Sequence, residues 1–556
     1  MRAATTGFFA EQQWDFAPQE RSALPGAPAT PEHPASRRLL YGLIGVLIAI
    51  TGGLGTALIA VNMPYLQGAL GLYQNEMSWL PAVYVMTNVP TGMVLIKYRQ
   101  QFGLRSFTLI FLGLYCVLAF AHLFASGFWP AIAVRAASGI AGSALTTLSL
   151  NYFIQALPAP RRLAAITLGL SVPQLAFPIA RLFSVDLLGF DQWRTLYMFE
   201  FGLSLISFAL IGLVRLPPAQ RERAFEWLDV PTIVLFTLFI GLISAVLSQG
   251  RYEWWTDSTW IGWALAGSIP LFGAVFLLEY HRTNPVIDMR WLGRTYFLRL
   301  MLVGTMARIV LSEQTYGTVG LLNALGYTND QLFLFSALNM FAAIGGIIVG
   351  ALAVGPDRFT QPVAFAIGLV AIAAFIDSHA TNLTRPPELY ATQMVIAFST
   401  TMYIGPAILV GLTQVLADGG KKLTSFIVLF ATTQSMGGLI GTALLSTFQS
   451  YAEKQHSFDI IEHLTMGDPQ VALALQQGAA RYAPTLSDPT LRSAVGAAAL
   501  SQRVATEANV LAYNDVFRLI SIMAAATTTF LILVVIHRRR LARLKARSAA
   551  VTGHPA

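Results

Sequence analysis

Arg135, Arg181, Glu200, Arg308 and Glu313 stand inside stretches that are otherwise apolar. A charge at that depth in hydrocarbon costs about 2.5–3.5 kcal/mol on insertion scales, so each is a candidate for moving ions or substrate. A carboxylate can carry a proton across; a guanidinium can hold backbone carbonyls or an anionic group. Glu200 reads either as an interface residue or as a coupling carboxylate. Arg308 and Glu313 are five residues apart, about 140° around a continuous helix, outside the i,i+3 or i,i+4 spacing of a pair on one helix. Each is therefore expected to meet another helix or to line a cavity. Arg135 either binds backbone carbonyls or serves transport. Arg181 is expected to snorkel outward or to pair with Asp186. Asp377, His379 and His122 close their apolar stretches and read as interfacial.

These residues need helices to carry them. Of the 556 residues, 55% are hydrophobic and only 12% are charged, with a mean hydropathy of +0.59. Soluble domains carry about a quarter charged residues. Apolar runs recur at 39–60, 78–96, 107–125, 129–152, 163–185, 195–214, 230–248, 259–279, 296–316, 331–353, 361–379, 389–412, 425–446 and 515–536. Each is long enough to cross about 30 Å of hydrocarbon, where only a helix satisfies its own backbone. The sequence thus predicts an all-α polytopic membrane protein with 14 spans.

Charge sets the orientation. With the N-terminus in the cytoplasm, 25 of the 36 Lys and Arg fall in cytoplasmic segments and six fall clearly on the opposite face. That asymmetry predicts a multi-pass membrane protein with both termini cytoplasmic. Residues 1–38 lack apolar periodicity and read as a disordered cytoplasmic tail, and 537–556 as a basic one. The +8 net charge is a topology signal, so nucleic acid is not an expected partner. A long outer segment, 447–513, has the spacing of amphipathic helices. Within it His456 and His463, two turns apart, read as a solvated helix face, and no metal site is expected. Pro173 and Pro178 permit kinks in the fifth span, the candidate gating helix. Gly345-Gly346 and Gly350 in the tenth span and Gly437-Gly438 and Gly441 in the thirteenth allow close packing.

Four anchors add a resemblance. Arg135-Ala-Ala-Ser-Gly139 precedes Gly142 in the fourth span. Asp191-Gln-Trp193-Arg194 leads to Tyr197 in the sixth. Asn62-Met-Pro64, Trp79 and Tyr84 mark the first hairpin, and Ala512-Tyr513-Asn514-Asp515-Val-Phe517 enters the last span. In this order, over about residues 40–540, they resemble the fourteen-span drug:proton antiporter branch of the major facilitator superfamily, the EmrB/QacA type. The resemblance implies two six-helix bundles, 39–214 and 296–536, separated by two linker spans in 215–295. It gives Arg135, with Gly139, a role near the proton path. It also implies partners for relatives in Gram-negative cells: a periplasmic adaptor, which 447–513 would meet, and an outer-membrane channel. Two positions depart from the pattern. Gly55 stands where the family carries an acidic residue in its first helix, and Gln100 stands where the loop after the second helix aligns an Asp.

The function expected is secondary active efflux of small amphipathic organic compounds by proton antiport, with Arg135, Gly139, Glu200, Arg308 and Glu313 as coupling or transport residues. The absent first-helix carboxylate and Arg308 favour anionic or neutral substrates. Uptake of a small organic solute or metal chelate is the alternative, as is a transport-inactive scaffold or sensor. The sequence contains no P-loop for ATP and no hydrolase motif, so no enzyme activity and no cofactor are expected.

Overall fold

The computed structural model describes residues 16–17, 20, 26–183, 193–355, 359–418, 422–465 and 467–552. Among the described residues, fourteen helices are long and apolar enough to cross a membrane. Spans 1 to 6 are Ala35–Leu70, Gln74–Phe102, Leu104–His122, Phe128–Ala156, Ala159–Arg181 and Trp193–Leu213. Spans 7 and 8 are Asp229–Gln249 and Thr259–Tyr280. Spans 9 to 14 are Thr295–Ala324, Phe333–Ala353, Thr360–Asp377, Pro386–Ala417, Leu423–His463 and Pro489–His537. Each matches one apolar run of the sequence. An even number of crossings puts both termini on one face, here called the termini face, and the opposite side is the far face.

Spans 1 to 6 pack as one bundle around spans 1 and 4, and spans 9 to 14 as a second. Span 7 lies along span 2 and reaches span 13, closing that seam with Phe236 and Ile240 against Val89, Met93, Val428 and Met436. Span 8 packs on span 7. The turn into span 3 needs Gly103, whose φ of 88° few other residues tolerate.

Two spans are broken at mid-depth. Span 5 passes from α-helix to a 3-10 turn over Val172–Leu175, where Pro173 removes a donor, and resumes at Ala176. Span 9 stops at Val310 and restarts at Glu313. The expected angle between Arg308 and Glu313 assumed a continuous helix; the break at Leu311–Ser312 sends them to different neighbourhoods. Ser312 and Thr315 hydroxyls bind the loosened carbonyls of Arg308 and Ser312, and Glu313 opens the second half-helix, where the N-terminal dipole favours an acid.

The two bundles touch at both ends. Near the termini face span 12 rides on span 5: a Cβ at Gly405 would stand 2.0 Å from Thr167 Cγ2. Leu163 and Ile166 pack there against Leu409 and Leu412. Near the far face, Asn329 Nδ2 donates to Asn62 Oδ1 (2.9 Å) and Asn329 N–H donates to Tyr65 Oη (3.2 Å). Asn62 has non-helical dihedrals two residues before Pro64 and also donates to Ala180 O. The halves are therefore closed above and below whatever lies between them. Residues 28–33, in the stretch assigned to the N-terminal tail, make contacts: Ala29 N–H reaches Pro218 O, and His33 Nε2 lies 2.9 Å from Gln155 Oε1.

Two helices extend beyond the far face. Span 13 continues to His463, and the helix of span 14 runs unbroken from Pro489 to Thr552. The short helix Pro469–Ala480 lies on the latter, with Gly478 against Gly496.

Candidate functional site

Between the bundles sits a cavity of about 40 Å³, enough for a little water and no substrate. It lies at the broken parts of spans 5 and 9. Gln174, Phe177, Pro178 and Arg181 line one side; Arg308, Gln314, Thr315, Ser336, Asn339 and Thr401 line the other. Pro178 and the turn at Pro173 thus shape one wall. Two guanidiniums from opposite halves face this space, and no carboxylate lines it among the described residues. Arg181 was expected to turn outward or pair with Asp186, which lies outside the described residues; it faces the cavity. Arg308 is laid across span 13, with Nε donating to Gln434 O (3.3 Å). Gly437 and Gly438 make that possible: a Cβ on Gly437 would come within 2.9 Å of Arg308 Cβ.

The carboxylates lie off the cavity, one group inside each bundle. In the N-terminal bundle Glu200 is 2% exposed, so it is not an interface residue. Its Oε1 accepts from Tyr115 Oη (2.6 Å), which also lies 3.1 Å from Thr51 O. Glu200 Oε1 is 3.4 Å from where a Cβ on Gly55 would stand, and Tyr115 Oη is 2.6 Å from the same point. A carboxylate from span 6 thus occupies the neighbourhood where the resemblance expects one from span 1. Arg135 arrives from the other side: Nη1 donates to Gly55 O (2.6 Å), and the guanidinium stacks 4.6 Å from the Tyr84 ring centre. Its Nε and Nη2 have no partner among the described residues. Gly139 and Gly142 admit span 2: a Cβ at Gly139 would meet Thr87 Oγ1 at 2.1 Å, and one at Gly142 would meet Tyr84 Oη at 2.2 Å. Gly139 thereby sets the approach that brings Tyr84 over Arg135.

His122, expected at the interface, is turned inward and stacks on Tyr197 at 4.9 Å with rings 4° apart. The entry to span 6 supports that ring: Trp193 packs edge-on to Tyr197 and Arg194 Nε donates to Leu123 O. Asp191 and Gln192 lie outside the described residues.

In the C-terminal bundle Glu313 and Asp377 share one donor. Gln393 Nε2 lies 3.0 Å from Glu313 Oε1, 2.9 Å from Asp377 Oδ2 and 2.7 Å from Thr318 Oγ1. Thr318 Oγ1 also donates to Glu313 (2.8 Å). These four residues are at most 2% exposed, and Glu313 Oε2 and Asp377 Oδ1 have no partner among the described residues. Asp377, expected at the interface, closes span 11 but points into this cluster. His379 is exposed. Sequence reading missed Tyr115 and Gln393 and placed Asp377 at the interface. The only signal was a polar residue on an apolar run, and that does not name its neighbours.

The last-span motif has a packing role. Phe517 lies against Gly317 and Tyr513 against Gly320, while Asn514 Nδ2 donates to Ala380 O. Asp515 lies 2.8 Å from His456 Nε2 and 3.3 Å from Arg518. No metal-binding group of His, Cys, Asp and Glu occurs among the described residues.

At the termini face, Gln100 supports the linker: its carbonyl accepts from Glu222 N–H, and Gln101 Oε1 accepts from Phe225 N–H. The acidic partner comes from span 7. Asp229 binds Lys97 (2.6 Å) and Arg282 (2.7 Å), and Arg282 also holds Glu279 and Glu226.

The profile of the Major Facilitator Superfamily matches residues 45–442. An uncharacterized MFS-type transporter of Bacillus subtilis, YhcA, is 22% identical over 88% of this chain and 90% of its own length. The multidrug export protein EmrB of Haemophilus influenzae is 20% identical over 84% and 89%, and the cephamycin export protein CmcT of Amycolatopsis lactamdurans 22% over 76% and 86%. Among solved structures, tetrameric PepTSo2 shares the fold at 13% identity, with a TM-score of 0.54 over 91% of this chain and 99% of that one. The chain belongs to the major facilitator superfamily, and the fourteen candidate spans among its described residues fit the span number of the drug:proton antiporter branch.

Proposed function

We propose that this transporter exports small amphipathic organic compounds, anionic or neutral, in exchange for protons across a bacterial inner membrane. The observation that carries the reading is the separation of charge. The space between the bundles presents Arg181 and Arg308, while Glu200 and the Glu313–Asp377 pair lie inside the bundles, away from it. An anionic substrate then meets only cations, and a proton reaches a carboxylate without competing for the same groups. Glu200 takes the part of the missing first-helix acid. Its protonation would change its bond with Tyr115 and the field at Arg135, both tied to span 1 through Thr51 and Gly55. Glu313 and Asp377, with a neutral amide between them, hold a shared proton, because two bare carboxylates there would lack a compensating cation. Export-named relatives at low identity agree with the direction.

The test uses inverted vesicles carrying the protein and an imposed pH gradient. Aromatic acids and neutral phenolics should collapse the gradient, lipophilic cations should not, and Glu200→Gln should remove the response. Arg308→Gln should cut the response to acids by tenfold or more and spare neutral phenolics. Collapse by lipophilic cations alone, unchanged in Arg308→Gln, would overturn the proposal.

A further inference from the structure

The C-terminal bundle contains a second hollow, a groove of about 630 Å³ on the termini side of spans 9, 11, 12, 13 and 14. Its size is that of a site for one drug-sized molecule. Spans 11 and 14 are in contact deeper in the bundle, where Gly368 meets Thr528 and Ser521 Oγ donates to Ala371 O. Toward the termini face the groove lies between them, lined by Thr360 and Val363 on one and Leu533 and His537 on the other. Leu533 is 59% exposed.

The walls are apolar and aromatic, with Phe426, Phe430 and Phe530 among them, and the mouth is basic. Arg299 and His537 stand there, and no Asp or Glu lines the groove among the described residues. Arg299 has no carboxylate at ion-pair distance among the described residues.

The inner end abuts the central cavity. On span 9 the groove-facing residues Tyr296, Arg299, Leu300, Val303 and Gly304 form one stripe, and Arg308 continues it one turn deeper. Arg308 bonds to Gln434, which lines the groove, and itself lines the central cavity. Tyr403 of the groove and Thr400 and Thr401 of the cavity are likewise neighbours on span 12. Arg299 and Arg308 are therefore two cationic stations about 13 Å apart along one helix, by the rise per residue.

We propose that this groove is a second binding site, for an amphiphilic organic anion whose head meets Arg299 and whose apolar body fills the aromatic wall. Arg308 is the partition between it and the central cavity. The proposal rests on the reading of the protein as a transporter of such compounds, and it adds where they bind before or after the central site.

The experiment is photolabelling of the full-length protein in lipid nanodiscs with 4-benzoylbenzoate, and with 4-benzoylbenzamide as the uncharged counterpart. Labels should map to segments 296–304, 426–434 and 530–537. Arg299→Gln, at an exposed position that leaves packing untouched, should lower labelling by the carboxylate at least fivefold and leave the amide unchanged. Ala407→Trp, which fills the groove, should remove both. Unchanged carboxylate labelling in both variants overturns the site. So does a phospholipid retained at one per chain in native mass spectrometry and displaced by Ala407→Trp, which would make the groove a lipid site. Labelling needs no turnover, so groove labelling without transport of any anionic or neutral compound would sink the exporter reading alone. Loss of export in Arg308→Gln without groove labelling would sink this site alone.

Discussion

Glycine at position 55 leaves room that two side chains from other spans fill. Tyr115 Oη comes within 2.6 Å of where a Cβ would stand, so Gly55→Ala must push a buried ring aside. Overpacking of this kind costs about 1–3 kcal/mol. The variant should lower the thermal midpoint in detergent, and Tyr115→Phe in the same chain should restore most of it; an additive loss would show that the clash lies elsewhere. Gln393 poses the opposite problem. It supplies the one donor shared by Glu313 and Asp377, so Gln393→Leu should destabilise by about 1.5–3 kcal/mol, the range for hydrogen bonds to charged groups. Adding Glu313→Gln should recover part of the loss, because the amide brings donors back to Asp377. At this scale the sequence named Arg135, Glu200, Arg308 and Glu313, since any charge in an apolar run stands out. It could not join Glu200 to Gly55, 145 residues earlier, or Asp377 to Gln393, because those pairings are made by helices crossing in space.

Elements act here through their interruptions. Pro173 and Pro178 marked the break in span 5 in advance, by the donor that proline lacks. The break in span 9 carries no proline or glycine: Ser312 and Thr315 sustain it, and Gly437 and Gly441 of span 13 admit the bulk around it. That break depends on a neighbouring helix, so its own sequence gives no sign of it. At the termini face Arg282, 7% exposed, holds Asp229 and Glu279, both fully buried. Arg282→Ala leaves two acids short of a partner and should cost about 3–5 kcal/mol, read as an early loss of the spans 7–8 segment to proteolysis. Glu226, the exposed member, is held below the usual Glu range by hydrogen bonds from Arg282 first and Asn284 second. A lowered value contributes stability above the unfolded group's pKa of about 4.3 and loses it as pH falls through the lowered one. Glu226→Gln should therefore matter at pH 7 and cease to matter in thermal scans once the pH falls below that lowered value.

The whole molecule is shut at both ends, by Gly405 on Thr167 at one face and Asn62 with Asn329 at the other. Transport needs these contacts to open in turn. Asn329→Ala should weaken the far-face closure and raise labelling of a cysteine introduced at Thr315 by a membrane-impermeant reagent severalfold; no change would assign closure to other contacts. The fourteen-span frame was legible because hydrocarbon forces each segment to satisfy its own backbone, whereas nothing local to a segment says which faces of two bundles meet. One element crosses every level of this frame. The last helix runs 64 residues from Pro489 to Thr552, about 96 Å at the usual rise. A rod of that length is a mechanical shaft: torque applied to its far-face portion reaches the basic end without an intervening joint. Anything gripping the helical hairpin outside would thereby turn the wall of the groove that Phe530 and His537 line at the other side of the membrane.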